Sequence, residues 1–154
     1  GRGGIVRGLL TPFQHEETIM NTQIALTVEL RLLAYAVFIC IVMWLPYILT
    51  AIRTFGLVRM VSYPAVDYAF LPQWSQRLYR VHMNMVENLG PFGALVIVAA
   101  LTGAANEMTA LGARMFFWSR IAQIVLYAAG ISWGRTLTFA IGWAGMIVIF
   151  LQII

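Results

Sequence analysis

Four apolar runs, separated by breaks of proline, glycine and charge, set out the plan of the chain. Leu32 to Ile52 is a run of 21 residues without a charge, long enough to cross a bilayer as a helix. Asn21-Thr22 can cap a helix beginning near Gln23, so the first predicted helix covers 24–53. Pro46 lies inside it and predicts a kink of the kind membrane helices tolerate. Arg53 and Arg59 close this run. The second predicted helix, 74–102, is longer than a bilayer requires, so its polar first turns project out of the membrane or into a cavity. The third and fourth are expected at 112–131 and 135–154, with 102–112 as a short connection and Ser132-Trp133-Gly134 as a tight turn. No period-two pattern predicts a sheet. The expectation is an all-α integral membrane four-helix bundle with both termini on one side. Residues 60–73, with Pro64, Asp67 and Pro72, read as an interfacial loop. Tyr63, Tyr68, Phe70 and Trp74 are its candidate headgroup-level anchors.

Residues 1–19 are Gly-rich, polar and aperiodic, without the apolar centre of a signal peptide. They are read as a loose tail, with Met20 a candidate native start and 20–154 the membrane domain. Composition agrees with a membrane protein: of 154 residues 61% are hydrophobic and only 10% charged, and the mean hydropathy is +0.83. A soluble domain this apolar could not cover its surface. Every cation is an arginine, and these are scattered among apolar segments, so the net charge of +4 is no nucleic-acid footprint. Cys40 is the only cysteine, which excludes an internal disulfide. His15 and His82 have no ligand partners at helical spacing, and no metal site is expected. Arg53, Arg59, Arg77, Arg80 and Arg135 fall on the loop side of the bundle, opposite the termini. The positive-inside rule places that side in the cytoplasm.

The chemistry concentrates at 77–92. Read as a helix, Arg77, Arg80, Asn84 and Glu87 fall within about 80° of one another, with His82 pointing away. Arg120, Gln123 and Tyr127 share a face of the third helix within about 60°, and Arg135-Thr136 opens the fourth. Antiparallel helices with short turns bring these ends together, within one subunit or across an interface. The resulting polar cavity beside lipid suits a small anionic ligand that carries an ammonium for Glu87, with an apolar companion substrate arriving from the membrane. The alternative is an arginine collar that pairs with lipid phosphates, with Glu87 simply neutralising its neighbours.

The pattern Arg77-x-x-Arg80-x-His82-x-Asn84-x-x-Glu87-x-x-x-Pro91-Phe92, then Arg120 and Tyr127, then Arg135-Thr136, resembles the MAPEG family, the membrane-associated proteins of eicosanoid and glutathione metabolism. The resemblance covers about 24–154, and its style is most similar to bacterial members, with Trp44-Leu-Pro46-Tyr47 and Ala105-Asn-Glu107-Met-Thr-Ala-Leu-Gly112. It implies a homotrimer in a bacterial inner membrane, with glutathione as co-substrate bound between subunits near the cytoplasmic face. It implies glutathione contacts at Arg80, Asn84, Glu87, Arg120 and Tyr127, and matches Arg53 to a basic residue at the end of the first span; Arg77, Gln123 and Thr136 are further candidate binding positions from their place in the polar cavity. Arg135 matches the arginine that stabilises the thiolate, and Arg135 and Tyr127 are the candidate catalytic pair. The implied activity is a transferase or peroxidase acting on lipophilic electrophiles or hydroperoxides. A non-catalytic lipid- or partner-binding protein, or an accessory subunit, is the alternative. Met83, Gln123, Thr136 and Phe139 depart from the prostaglandin E synthase pattern and speak against that activity.

Overall fold

The computed structural model describes residues 26–63 and 65–154. Within them the chain is helical, with no strand. The elements are α1 (Val28–Met43), α2 (Leu45–Phe55), α3 (Leu57–Met60), a 3₁₀ turn (Tyr68–Phe70), α4 (Gln73–Thr102), α5 (Glu107–Ala129) and α6 (Ser132–Ile153). The expected tail, the Asn21-Thr22 cap and Met20 all lie outside the described residues. Thr27 caps α1 instead, its Oγ1 accepting from the Leu30 N–H at 3.4 Å.

Three helical lengths are long and apolar enough to cross a membrane: Val28–Phe55, Gln73–Thr102 and Trp133–Ile153. The first is α1 and α2 run together, interrupted only at Trp44. The break has the expected cause, because Pro46 in the first turn of α2 has no N–H to give the preceding turn. Pro91 sits inside α4 and likewise has no N–H for the Glu87 carbonyl.

Two predicted boundaries move. The third helix starts at Glu107, not at 112, because Asn106 forms a capping box. Its side chain accepts from Met108 N at 2.8 Å and Thr109 N at 3.1 Å, and Thr109 Oγ1 accepts from Asn106 N at 2.7 Å. The turn before the fourth helix is Gly130-Ile131, not Ser132–Gly134. Gly130 takes φ 76°, a left-handed conformation that ends α5. Gly134 lies inside α6, against the Leu126 side chain.

α5 and α6 form the closest pair, and glycine sets their distance. A Cβ on Gly112 would fall 2.5 Å from the Gly145 carbonyl oxygen, and one on Gly145 would fall 2.5 Å from that of Gly112. The two backbones therefore touch, as small residues permit between membrane helices. One core cluster joins Phe92, Val96, Ala99, Ala113, Phe116, Met146 and Ile149, with Phe92 and Phe116 stacked at 3.9 Å. A second joins Ala36, Met43, Val81, Met85 and Phe117, with Cys40 packed beside it as the small apolar side chain expected.

Each end of the helix assembly is tied. At the termini end Thr109 donates to the buried Glu29 carboxylate, and Asn106 Nδ2 donates to Gln152 Oε1 at 3.0 Å. At the loop end Tyr68 folds back and stacks on Tyr79 at 4.7 Å, while Gln76 donates to the carbonyls of Ala69 and Leu71 at 2.8 and 2.7 Å. Tyr68 is thus half-buried against α4. Burial, then the neighbouring Tyr79 phenol, pushes its own phenol above the ordinary value. Tyr63 and Phe70 remain strongly exposed.

Candidate functional site

The polar stripe of α4 divides in two. At 100° per residue Arg77 and Asn84 lie within about 20° of each other, as do Arg80 and Glu87, and about 60° separates the pairs. The seam with α5 takes the first pair. Arg77 and Asn84 are half-buried, whereas Arg80 and Glu87 are exposed on the outer side of this chain. Arg77 donates Nη2 to Gln73 Oε1 at 3.2 Å. Its guanidinium also lies over Gly130, where a Cβ would come within 2.7 Å of Nη1. The turn glycine thus leaves room for this arginine as well as ending α5. His82, on the far side of the helix, is buried and shares a 2.8 Å hydrogen bond between its Nδ1 and the Tyr47 hydroxyl.

Arg120 is the centre of the inward-facing polar groups and is only 2% exposed. Its Nη1 donates to Asn84 Oδ1 and to Gln123 Oε1, both at 2.8 Å, tying α4 to α5. The guanidinium stands 5.0 Å from the Phe116 ring centre and 5.5 Å from that of Phe139. Both distances suit a cation over an aromatic face. Gly142 provides the space: a Cβ there would collide with Arg120 Nη2 and with Ser119 Oγ. The Gly142-x-x-Gly145 pair thus has two separate jobs, making room for a guanidinium and for a backbone. Nε and Nη2 of Arg120 are buried without a hydrogen-bond partner. Orphaned donors on a buried cation cost stability, so a site that keeps them calls for an explanation.

A cleft of about 340 Å³ opens beside Arg120, lined by Asn84, Gln123, Tyr127, Arg135, Thr136 and Phe139. Its size falls in the range of small-molecule sites. The Arg135 guanidinium lies 4.8 Å from the Tyr127 ring centre. Arg135 stands in the first turn of α6, and no side chain caps that helix N-terminus, which Ile131 precedes. The helix therefore adds its own positive end. With no carboxylate among its lining residues, the cleft is an electropositive pocket suited to an anion.

Among the sequence-predicted residues, the structure gathers Asn84, Gln123, Tyr127, Arg135 and Thr136 around the cleft, with Arg120 bonded to two of them. It does not bring Arg53, Arg77, Arg80 or Glu87 to the cleft wall of this chain. Arg53 is exposed in the last turn of α2. Phe139, singled out in the sequence only as a departure from a pattern, is a wall of the cleft. Two buried polar links escaped the sequence reading, Glu29–Thr109 and Tyr47–His82. A carboxylate three residues ahead of an uncharged run was the available signal for the first. Nothing in the local spacing pointed to the second, whose partners are 35 residues apart.

The class these observations define is a helical membrane protein with an electropositive cleft between its helices. The sequence profile of the MAPEG family matches residues 32–154, and the chain belongs to the MAPEG family. Searches of curated proteins and of solved structures find no match.

Proposed function

We propose that the chain is a glutathione-dependent transferase or peroxidase acting on lipophilic electrophiles or hydroperoxides, and that α5 completes a four-span bundle working as a homotrimer. The observation that carries the reading is the cleft itself, where Asn84, Gln123, Tyr127, Arg135 and Thr136 converge beside the buried Arg120. Family membership supports it. α5 is long enough to span, and its polar groups Arg120 and Gln123 are buried against neighbours, as polar residues in a membrane must be. Arg80 and Glu87, exposed on α4, are left for a neighbouring subunit, where Glu87 would meet the ligand's ammonium. The arginine-rich loop end faces the cytoplasm on the positive-inside rule, and a bacterial inner membrane suits it.

The chemistry follows from charge. Guanidinium forks hold carboxylates in two directions. A thiol with pKa about 8.5 is mostly protonated at neutral pH, and a guanidinium with a helix N-terminus lowers that value. In this reading Arg135 faces the sulfur. The thiolate attacks an electrophilic carbon, an S–C bond forms, and the electron pair of the broken bond leaves with the leaving group. In the same reading Tyr127, whose ring lies against Arg135, gives that group a proton.

The competing reading is a non-catalytic lipid- or partner-binding protein, favoured by Thr136 and Phe139, which alter the hydroxyl groups facing the thiol. Calorimetric titration of glutathione into the detergent-purified protein separates the two. Saturable binding that Gln123→Leu weakens supports the proposal; no heat at millimolar glutathione favours the alternative.

A further inference from the structure

On the other side of the α5–α6 seam lies a second opening, a crevice of about 400 Å³ lined by Arg114, Met115, Trp118, Ser119, Ala122, Thr138 and Ile141. Its walls are apolar apart from two small hydroxyl side chains and the arginine. The hydroxyls are satisfied within their own helices: Ser119 Oγ donates to the Phe116 carbonyl at 2.7 Å, and Thr138 Oγ1 to the Gly134 carbonyl at 2.9 Å. None of the lining residues comes from α1 or α4. The wall between crevice and cleft holds Arg120 and Gly142, so the two openings share a partition but no lining residue.

Arg114 gives the crevice a direction. It is exposed, about 10 Å along α5 from Glu107 at 1.5 Å per residue. Among the described residues no hydrogen bond or ion pair holds it, and the buried Glu29 acts on it only through the electrostatic field. In the four-span bundle proposed above, on which this inference rests, an exposed cation this far along α5 requires a counter-ion or a path to the interface. Anionic headgroups are the anions a bilayer offers in number. The apolar wall from Met115 to Ala122 continues from Arg114 toward the membrane interior, where an acyl chain would run.

We propose that this crevice is a binding site for one anionic phospholipid of the bilayer, its phosphate on Arg114 and an acyl chain against Trp118, Ala122 and Ile141. The site is separate from the cleft assigned to glutathione and does not depend on that assignment. Its occupant covers the lipid side of the α5–α6 pair that builds the cleft.

The test uses Trp118 as the reporter. The full chain is placed in phosphatidylcholine nanodiscs containing an equal, small fraction of brominated phosphatidylglycerol or brominated phosphatidylcholine. The Trp118 contribution to the emission is taken as wild type minus Trp118→Phe. The expected result is about fivefold stronger apparent binding of the anionic lipid, the enrichment that about 1 kcal/mol per arginine corresponds to. Arg114→Gln should remove the preference, and Ala122→Phe, which leaves Arg114 in place, should remove the quenching by both lipids. Equal quenching by the two brominated lipids in wild type overturns the proposal. So does a preference that persists in Arg114→Gln, or stronger competition by free fatty acid than by phosphatidylglycerol.

Discussion

At the scale of residues, Arg120 shows how stability and function pull apart. Its two hydrogen bonds organise Asn84 and Gln123, while Nε and Nη2 stay buried and unpartnered. Losing a buried, incompletely satisfied cation is favourable, but Asn84 Oδ1 and the buried Gln123 Oε1 lose their donor with it, so the two effects on stability oppose each other. Arg120→Met should therefore shift the melting temperature little, yet bind glutathione about tenfold more weakly, the loss expected from one charge-assisted hydrogen bond. Paired melting and calorimetry decide it, and a lowered melting temperature with unchanged binding would make Arg120 a structural strut. Tyr47→Phe should do the reverse. It leaves buried His82 Nδ1 without its partner, costing about 1–3 kcal/mol of stability, while binding at the cleft, which neither residue lines, stays intact. The sequence showed that His82 leaves the stripe, because helical angles are local. It could not show Tyr47 as the partner, because that contact depends on how two helices dock.

At the scale of elements, the sequence was most legible in the apolar runs and least legible at their ends. The core of each helix follows from hydrophobicity, whereas the boundaries follow from a few hydrogen bonds. Asn106 and Thr109 hold such bonds, and Gly103 and Gly112 masked them by looking like loop residues. Gly112 is in fact a contact surface. Gly112→Ala places a methyl 2.5 Å from the Gly145 carbonyl and should lower stability by about 1–3 kcal/mol by forcing α5 and α6 apart. Gly90→Ala, where nothing lies within 4 Å, should be neutral or stabilising by about 0.4–1 kcal/mol. Thermal melts of the two variants under identical detergent conditions check the contrast. Similar losses at both positions would show that helix flexibility, and not the close approach, is what the glycines provide.

At the scale of the whole molecule, six of the ten predicted polar residues meet in one chain and four do not. Spacing along α4 implied one stripe, but docking uses only the edge that carries Arg77 and Asn84. Arg80 and Glu87 stay exposed, and the proposed homotrimer with α4 at the interface would give them a neighbour. Native mass spectrometry in mild detergent should show trimers, and Glu87→Gln should weaken glutathione binding without dissociating them. A strictly monomeric protein would leave Glu87 with no route to the ligand. The proposed chemistry requires the cleft to stabilise a thiolate. The most direct test is an ultraviolet absorbance titration of the thiol of bound glutathione, in wild type and in Arg135→Gln. Wild type should show an apparent pKa below the free value of about 8.5, with turnover lost as pH falls through it, and the variant a return toward the free value. A bound thiol that titrates like free glutathione in both proteins would contradict it.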